Sequence, residues 1–270
     1  MRFVVGFAVL AIVFGAIEWR WPARAQRRLR RGWRTDVVYF VVAPFASRAF
    51  AFISVAVIAI VLALATGTRL DRASIDAFVH RATWFGDLPR AAQIALVLVV
   101  GDFFAYWLHR AFHRGRLWRF HAVHHSSTEL DWLASTRGHP VNDVVQRSLQ
   151  GIALLALGFD PTVVAVYVPA LALYAVALHA NVTWSFGPLR YAIASPTFHR
   201  WHHTSEAEGL DKNFAGLFPF WDLVFGTFYM PRGELPSQFG VRDDVPEGIV
   251  GQLAWPFRRD QRARAATTAG

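Results

Sequence analysis

The sequence predicts an all-α integral membrane protein, with about four transmembrane helices beneath a cytoplasmic helical cap lined with histidine. Three observations predict it. Of the 270 residues, 54% are hydrophobic and 17% are charged, where a soluble domain of this length carries about a quarter charged residues. The apolar residues gather in long runs and mean hydropathy is +0.28, as expected of membrane-spanning segments. Eight of the eleven histidines fall into three tight groups, HRAFH at 109–113, HAVHH at 121–125 and HRWHH at 199–203.

The first apolar stretch, Phe3 to Ile17, is followed by Trp19 and Trp21 and by no small-residue cleavage site. It reads as a retained first span with an interfacial aromatic belt. Seven arginines lie between Arg20 and Arg34. Such density beside a span places the loop in the cytoplasm. Residues 36–66 are predominantly apolar over about thirty positions, interrupted by Pro44 and Arg48. They are too long for one upright helix, so they read as a tilted or kinked helix, or as an interfacial segment followed by a span from Phe50 to Ala65. Residues 67–89 are polar, contain His80 and face the other side. A span from Ala91 to Leu108 then returns and delivers His109 to the cytoplasmic edge.

Residues 149–178 form a further apolar stretch, broken by GFDP at Gly158–Pro161. Asp before Pro is a turn and helix-start signal, so this is a helical hairpin whose return arm ends at His179. Residues 180–270 rest on the cytoplasmic face, and the final FRRDQRARAATTAG has the composition of a disordered tail. The division expected is an N-terminal membrane region (1–90), a catalytic region (91–232) and a C-terminal tail (233–270).

Composition excludes several chemistries. There is no cysteine, so disulfides, zinc–thiolate sites, iron–sulfur clusters and cysteine nucleophiles are ruled out. The net charge is 28 − 19 = +9. The basic residues flank apolar runs instead of lining a surface with interleaved aromatics, which argues for membrane orientation and against nucleic acid.

The histidines carry the chemistry. Neutral imidazole is the commonest protein metal ligand, and residues at i, i+3 and i+4 share a helix face. His109 and His113 are i, i+4. His121, His124 and His125 are i, i+3, i+4, and His199, His202 and His203 repeat that spacing. Eight ligands exceed what one ion needs and suit two ions with open positions. Imidazole alone does not choose among iron, zinc, copper and nickel. Asp102 lies seven residues before His109, two turns up the same face and within a span. A carboxylate there is costly, and the reading is a buried partner of a ligand imidazole, or else a packing contact to an arginine.

Three function classes remain. A zinc-dependent membrane hydrolase would carry H-E-x-x-H, and no Glu lies inside any of the three groups. A metal transporter or b-type haem carrier would place histidines inside the spans, whereas these sit at helix ends and in loops. The third class, an oxygenase, is what the resemblance described next implies.

The order HRAFH, HAVHH, HRWHH resembles the fatty acid hydroxylase/sterol desaturase superfamily of membrane non-haem di-iron oxygenases. So do GDFFAYWLHRAFH, the SS after HAVHH, RGHP at Arg137–Pro140, HAN at His179–Asn181 and KNFAGLFPFWDLVFGTFYMP from Lys212 to Pro231. The resemblance covers residues 90–232. It implies two iron ions (zinc being possible in isolated protein) that activate dioxygen with two electrons and hydroxylate or desaturate an unactivated C–H bond of a lipid. It implies His179 as a ninth ligand and His139 as a ligand or the partner of one. The resembling family often has an acidic residue after HP, where this chain has Asn142 and Asp143. Asn181, Asn213 and Asp222 are further candidate partners of the ligands. The expected substrate is a lipid entering from the bilayer, and with no fused electron-transfer module the electrons come from a separate ferredoxin or cytochrome. Short loops and the absence of a retention tail point to a bacterial inner membrane, with the histidines on the cytoplasmic side.

Overall fold

The computed structural model describes residues 2–258, and all regular structure among them is helical. Extended pairing is limited to two isolated bridges, Pro22 with Val182 and Thr204 with Phe239. Helix α1 spans Arg2–Arg20 and α2 spans Trp33–Thr66. The tail expected to be disordered falls almost wholly outside the described residues. Residues 36–66 do not divide near Phe50, because α2 is a single helix of 34 residues that continues through Pro44. At 1.5 Å per residue it is about 51 Å long, against a bilayer core of about 30 Å. One helix therefore supplies a span's length and still carries Asp36 in its first turn.

A short helix α3, Arg72–Val79, precedes α4, Arg90–Phe112, and α5, Gly115–His125. A 3₁₀ turn at Trp132–Thr136 leads into α6, Pro140–Leu157. The expected hairpin follows. Asp160 accepts the Thr162 N–H at 2.7 Å, and Pro161 opens α7, Pro161–His179. The turn needs Gly158, which has φ +83° and whose Cβ, if present, would lie 2.3 Å from Thr83 Cγ2. Short helices α8, Pro196–His202, α9, Phe220–Val224, and α10, Ile249–Ala254, complete the described chain.

Arg90, at the start of α4, lies 3.5 Å from Asp160 and 2.6 Å from Thr162 Oγ1 at the start of α7. The two helices therefore start together and run side by side, ending at His109–His113 and at His179. Thr83 donates to Gly158 O at 2.6 Å, so the loop after His80 packs at the opposite end of the hairpin. His80 is exposed, and its ring bonds Asp76 of the helix that it caps.

Among the described residues, α4 and α7 are long and apolar enough to cross a membrane. Val4, Val9 and Ile12 on α1 and Phe52, Val55 and Leu64 on α2 present large apolar side chains outward. With helices of this kind the fold has membrane-protein character. Buried apolar clusters pack the helix ends together: Tyr106, Leu178, Phe198, Trp201 and Phe214 form one, and Phe14, Trp132, Leu133 and Val182 another.

Candidate metal centre

Four helices end at one place. His109 lies in the last turn of α4 and His113 caps it. His124 and His125 end α5, one turn after His121. His179 ends α7, and His199 and His202 lie on α8, capped by His203. Helix C-termini carry partial negative charge from unpaired carbonyls, which favours a cation between them.

The structure gathers these nine histidines into two groups. One holds His109, His113, His121, His125 and His202, and the other holds His124, His179, His199 and His203. Within each group one ring nitrogen from every member lies within 4.8 Å of the others. The partition cuts across the sequence motifs. In HAVHH, His121 and His125 join one group and His124 the other. In HRWHH, His199 and His203 join one and His202 the other. The expected three face-sharing groups thus become two shared ones. At 100° per residue, i+4 lies about 40° to one side of i and i+3 about 60° to the other.

The outward nitrogens fix the tautomers. His109 Nδ1 donates to Phe214 O at 2.7 Å and His202 Nδ1 to Lys212 O at 2.9 Å. His124 Nδ1 donates to Arg137 O at 2.7 Å and His179 Nδ1 to Ala175 O at 2.7 Å. A carbonyl only accepts, so each Nδ1 holds the proton and each neutral ring turns an Nε2 lone pair inward. His121 Nδ1 donates to Asn142 Oδ1 at 3.1 Å, and His113 Nδ1 to Asp211 Oδ1 at 3.1 Å.

The inward atoms then face one another without protons. His109 Nε2 lies 2.9 Å from His121 Nε2, and His179 Nε2 lies 3.3 Å from His124 Nε2. His113 Nε2 and His202 Nε2 are buried with no hydrogen-bond partner. Protonation is opposed by burial. It lowers His113, pushes His121, His125, His199, His202 and His203 well below the usual 6.5, and brings His124 to about 4. Opposed lone pairs in a buried site call for a cation, and separations near 3 Å suit ligands about 2.1 Å from one ion at right angles. The residues present fit two metal ions held by nitrogen.

A cavity of about 280 Å³ reaches the five-histidine group, lined by His113, His125, His202, Trp118 and Leu210 among others. None of the four other histidines lines it.

The remaining candidates lie further out. His139 is not gathered into either group. Its Nδ1 accepts from Val141 N–H at the start of α6 and its Nε2 meets Leu253 O, so both nitrogens are occupied by the backbone. Among the described residues, Asp102 makes no hydrogen bond or ion pair to an imidazole or an arginine. Its carboxylate accepts the N–H groups of Gly216, Leu217 and Phe218 at 2.8–3.2 Å, because the loop after the last histidines folds over α4. Asp222 accepts from Phe214 N and Ala215 N at 2.7 and 2.9 Å and from Thr227 Oγ1, and burial raises its carboxyl to about 6. Asn213 bonds Phe198 O and Tyr229 O, and accepts from Tyr229 N. These three pin the segment whose carbonyls, Lys212 O and Phe214 O, hold His202 and His109. Asn181 pairs with the backbone of Arg24.

Sequence reasoning missed Asn142 as the partner of His121 and Asp211 as the partner of His113. Asn142 stands near the position where an acidic residue was expected, which was the available signal. No pattern marked Asp211. The carbonyl partners have no sequence signature at all.

Residues 94–227 match the model of the family described as fatty acid hydroxylase. The chain is 35% identical over 186 residues to an ornithine lipid hydroxylase of Rhizobium tropici, which covers 68% of this chain and 56% of that protein. It is 35% identical over 128 residues to an alkylglycerol monooxygenase of Homo sapiens, 47% of this chain and 28% of that protein. It is 27% identical over 153 residues to a sphingolipid hydroxylase of Schizosaccharomyces pombe, 55% of this chain and 52% of that protein. The chain thus spans about half of the first relative and about a quarter of the second. No solved structure matches it.

Proposed function

Since residues 94–227 place the chain in the fatty acid hydroxylase family, we propose that it is a membrane-bound non-haem di-iron oxygenase that hydroxylates an unactivated C–H bond of a lipid. The observation that carries this reading is the pair of histidine groups, five and four, in which Nε2 of His109 faces that of His121 and Nε2 of His179 faces that of His124. The nine histidines are the proposed ligands. Hydroxylation is favoured over desaturation because the relatives described above are named hydroxylases and monooxygenases.

The overall change balances as R–H + O₂ + 2e⁻ + 2H⁺ → R–OH + H₂O. Two bound irons would supply the reductive activation of dioxygen; the protein supplies their setting. Carbonyls and side-chain oxygens behind the rings orient the imidazoles and raise their basicity. Burial keeps them neutral and excludes bulk water. The 280 Å³ cavity gives a small or polar group a route to the five-histidine side. A lipid tail reaches the site from the bilayer along α4 and α7.

The topology that goes with this reading has four spans, with the histidines and the arginine-rich loop in the cytoplasm of a bacterial inner membrane. The catalytic region is 91–232, flanked by the membrane region 1–90 and the tail 233–270. Electrons come from a separate ferredoxin or cytochrome, for which the net charge of +9 favours an acidic partner.

The test is metal content per chain after iron-replete expression, with His124→Ala and His202→Ala beside wild type. Two metals are expected in wild type and one fewer in each variant, since each substitution strikes a different group. Iron-loaded wild type should consume dioxygen with membrane lipid and add 16 mass units to it. Well-folded wild type without metal would sink the reading.

A further inference from the structure

We propose that residues 18–36, outside the matched segment 94–227, form the positioning scaffold of the four-histidine site, with Asp36 acting on His124 through Arg137. The inference rests on the reading that this group holds a metal.

Asp36 is fully buried in the first turn of α2. Its Oδ1 accepts from Arg137 Nε at 2.7 Å and its Oδ2 from Arg30 at 2.6 Å. Thr136 Oγ1 donates to its backbone oxygen at 3.1 Å. Arg137 also donates to Gly32 O and to Ser126 Oγ. Its approach to Gly32 is close. A Cβ there would lie 2.7 Å from the guanidinium, at a backbone φ of +80°. Arg137 is thus held at its side chain by α2 and the loop before it. Its carbonyl receives the His124 Nδ1 proton at 2.7 Å.

A second tie from the same region serves the same group. Glu18 accepts the N–H of Asn181 at 2.9 Å, and the Asn181 side chain bonds Arg24 N and O at 3.2 and 2.8 Å. Asn181 follows His179 by two residues. His124 and His179 both belong to the four-histidine group. The five-histidine group is backed instead by Asn142, Asp211, Lys212 and Phe214. The two sites therefore have separate scaffolds, and damage to one should be selective.

Asp131 provides the control. It shares Arg30 with Asp36, at 2.5 Å, but among the described residues no ion pair or hydrogen bond joins its side chain to Arg137. The experiment compares wild type, Asp36→Asn, Asp36→Glu and Asp131→Asn as iron-loaded full-length protein in detergent. It measures metal per chain, the time course of iron(II) release to a chelator, and thermal unfolding. Asp36→Asn should lack one metal or release it about tenfold faster, the scale set by losing partners of metal-bound histidines, while the other metal leaves at the wild-type rate. Asp36→Glu should restore part of the retention. Asp131→Asn should unfold at lower temperature with release unchanged.

Equal effects of Asp36→Asn and Asp131→Asn, or equal acceleration of both metals, would reduce the network to plain stability and overturn the proposal. Two metals in wild type with unchanged release in Asp36→Asn would overturn it alone; no metal in wild type would overturn the metal reading and this proposal with it. If Asp36→Asn does not fold, Gly32→Ala pushes directly on the Arg137 guanidinium and should give the same selective loss. Unaltered release in folded Gly32→Ala counts against the proposal.

Discussion

His109 Nδ1 meets the carbonyl of Phe214 at 2.7 Å, across 105 positions of chain. That single bond sets the tautomer of the histidine that ends α4. It also ties the span to the loop that follows HRWHH. The loop is tied again by Asp222, which accepts the Phe214 N–H. Ring, carbonyl and carboxylate form one line of bonds running outward from the centre, and the predictions below test such lines.

Asn142 holds the Nδ1 proton of His121. Asn142→Ala should lower iron affinity by about 10–100-fold, the range for partners of metal-bound histidine, and Asn142→Asp should retain or raise it. Competition with a chromogenic chelator measures both. Affinity unchanged in the alanine variant would show that His121 does not depend on this bond.

Asp222 accepts two backbone N–H groups and a hydroxyl in a buried setting. Asp222→Ala leaves those donors unpaired and should cost about 3 kcal/mol or more of stability. The variant should unfold at distinctly lower temperature, read by intrinsic tryptophan fluorescence. A shift within the scatter of surface substitutions would contradict this account of the loop.

The metal-free protein should weaken in acid. In the fold, burial lowers His124 to about 4 and lowers His121, His125, His199, His202 and His203 well below 6.5. The unfolded chain then binds more protons than the folded one below about pH 6.5. Stability is therefore full above that value and falls as pH drops toward the folded values, by up to about 1.4 kcal/mol per pH unit for each histidine. Thermal unfolding of chelator-treated protein at pH 7.5 and pH 5.5 checks the sign, and greater stability at pH 5.5 would refute it. Iron loading should protect at neutral pH and protect less in acid, since protons compete for the same nitrogens.

An acidic electron donor should couple through charge. Raising ionic strength from about 0.01 M to 0.15 M shortens the screening length from about 30 Å to 8 Å, and donor-dependent turnover should fall several-fold through slower association. Turnover that ignores salt would point to an apolar or membrane-embedded contact between the two proteins.

The sequence by itself determined the chemistry and its neighbourhood. Histidine at i, i+3 and i+4 has a meaning on any helix, so His109, His113, His121, His124, His125, His199, His202 and His203 were legible as a set. Apolar runs and the Asp160–Pro161 turn were legible for the same reason, since they are local. The continuity of α2 was left open, since the same run reads as one tilted or kinked helix or as two segments, and the helix runs on through Pro44.

Only the tertiary structure decided which histidine faces which. Each H-x-x-H-H motif gives its i, i+4 pair to one group and its i+3 member to the other, which depends on where four helix ends converge. It also decided that Asp102 holds the loop at 216–218, that His139 serves the start of α6, and that Asp36 reaches Arg137 across 101 positions. Local spacing fixes the direction of a side chain on its own helix. Partners brought from distant parts of the chain are set by packing, and a carbonyl acceptor such as Phe214 O leaves no mark in the sequence, because every residue has one.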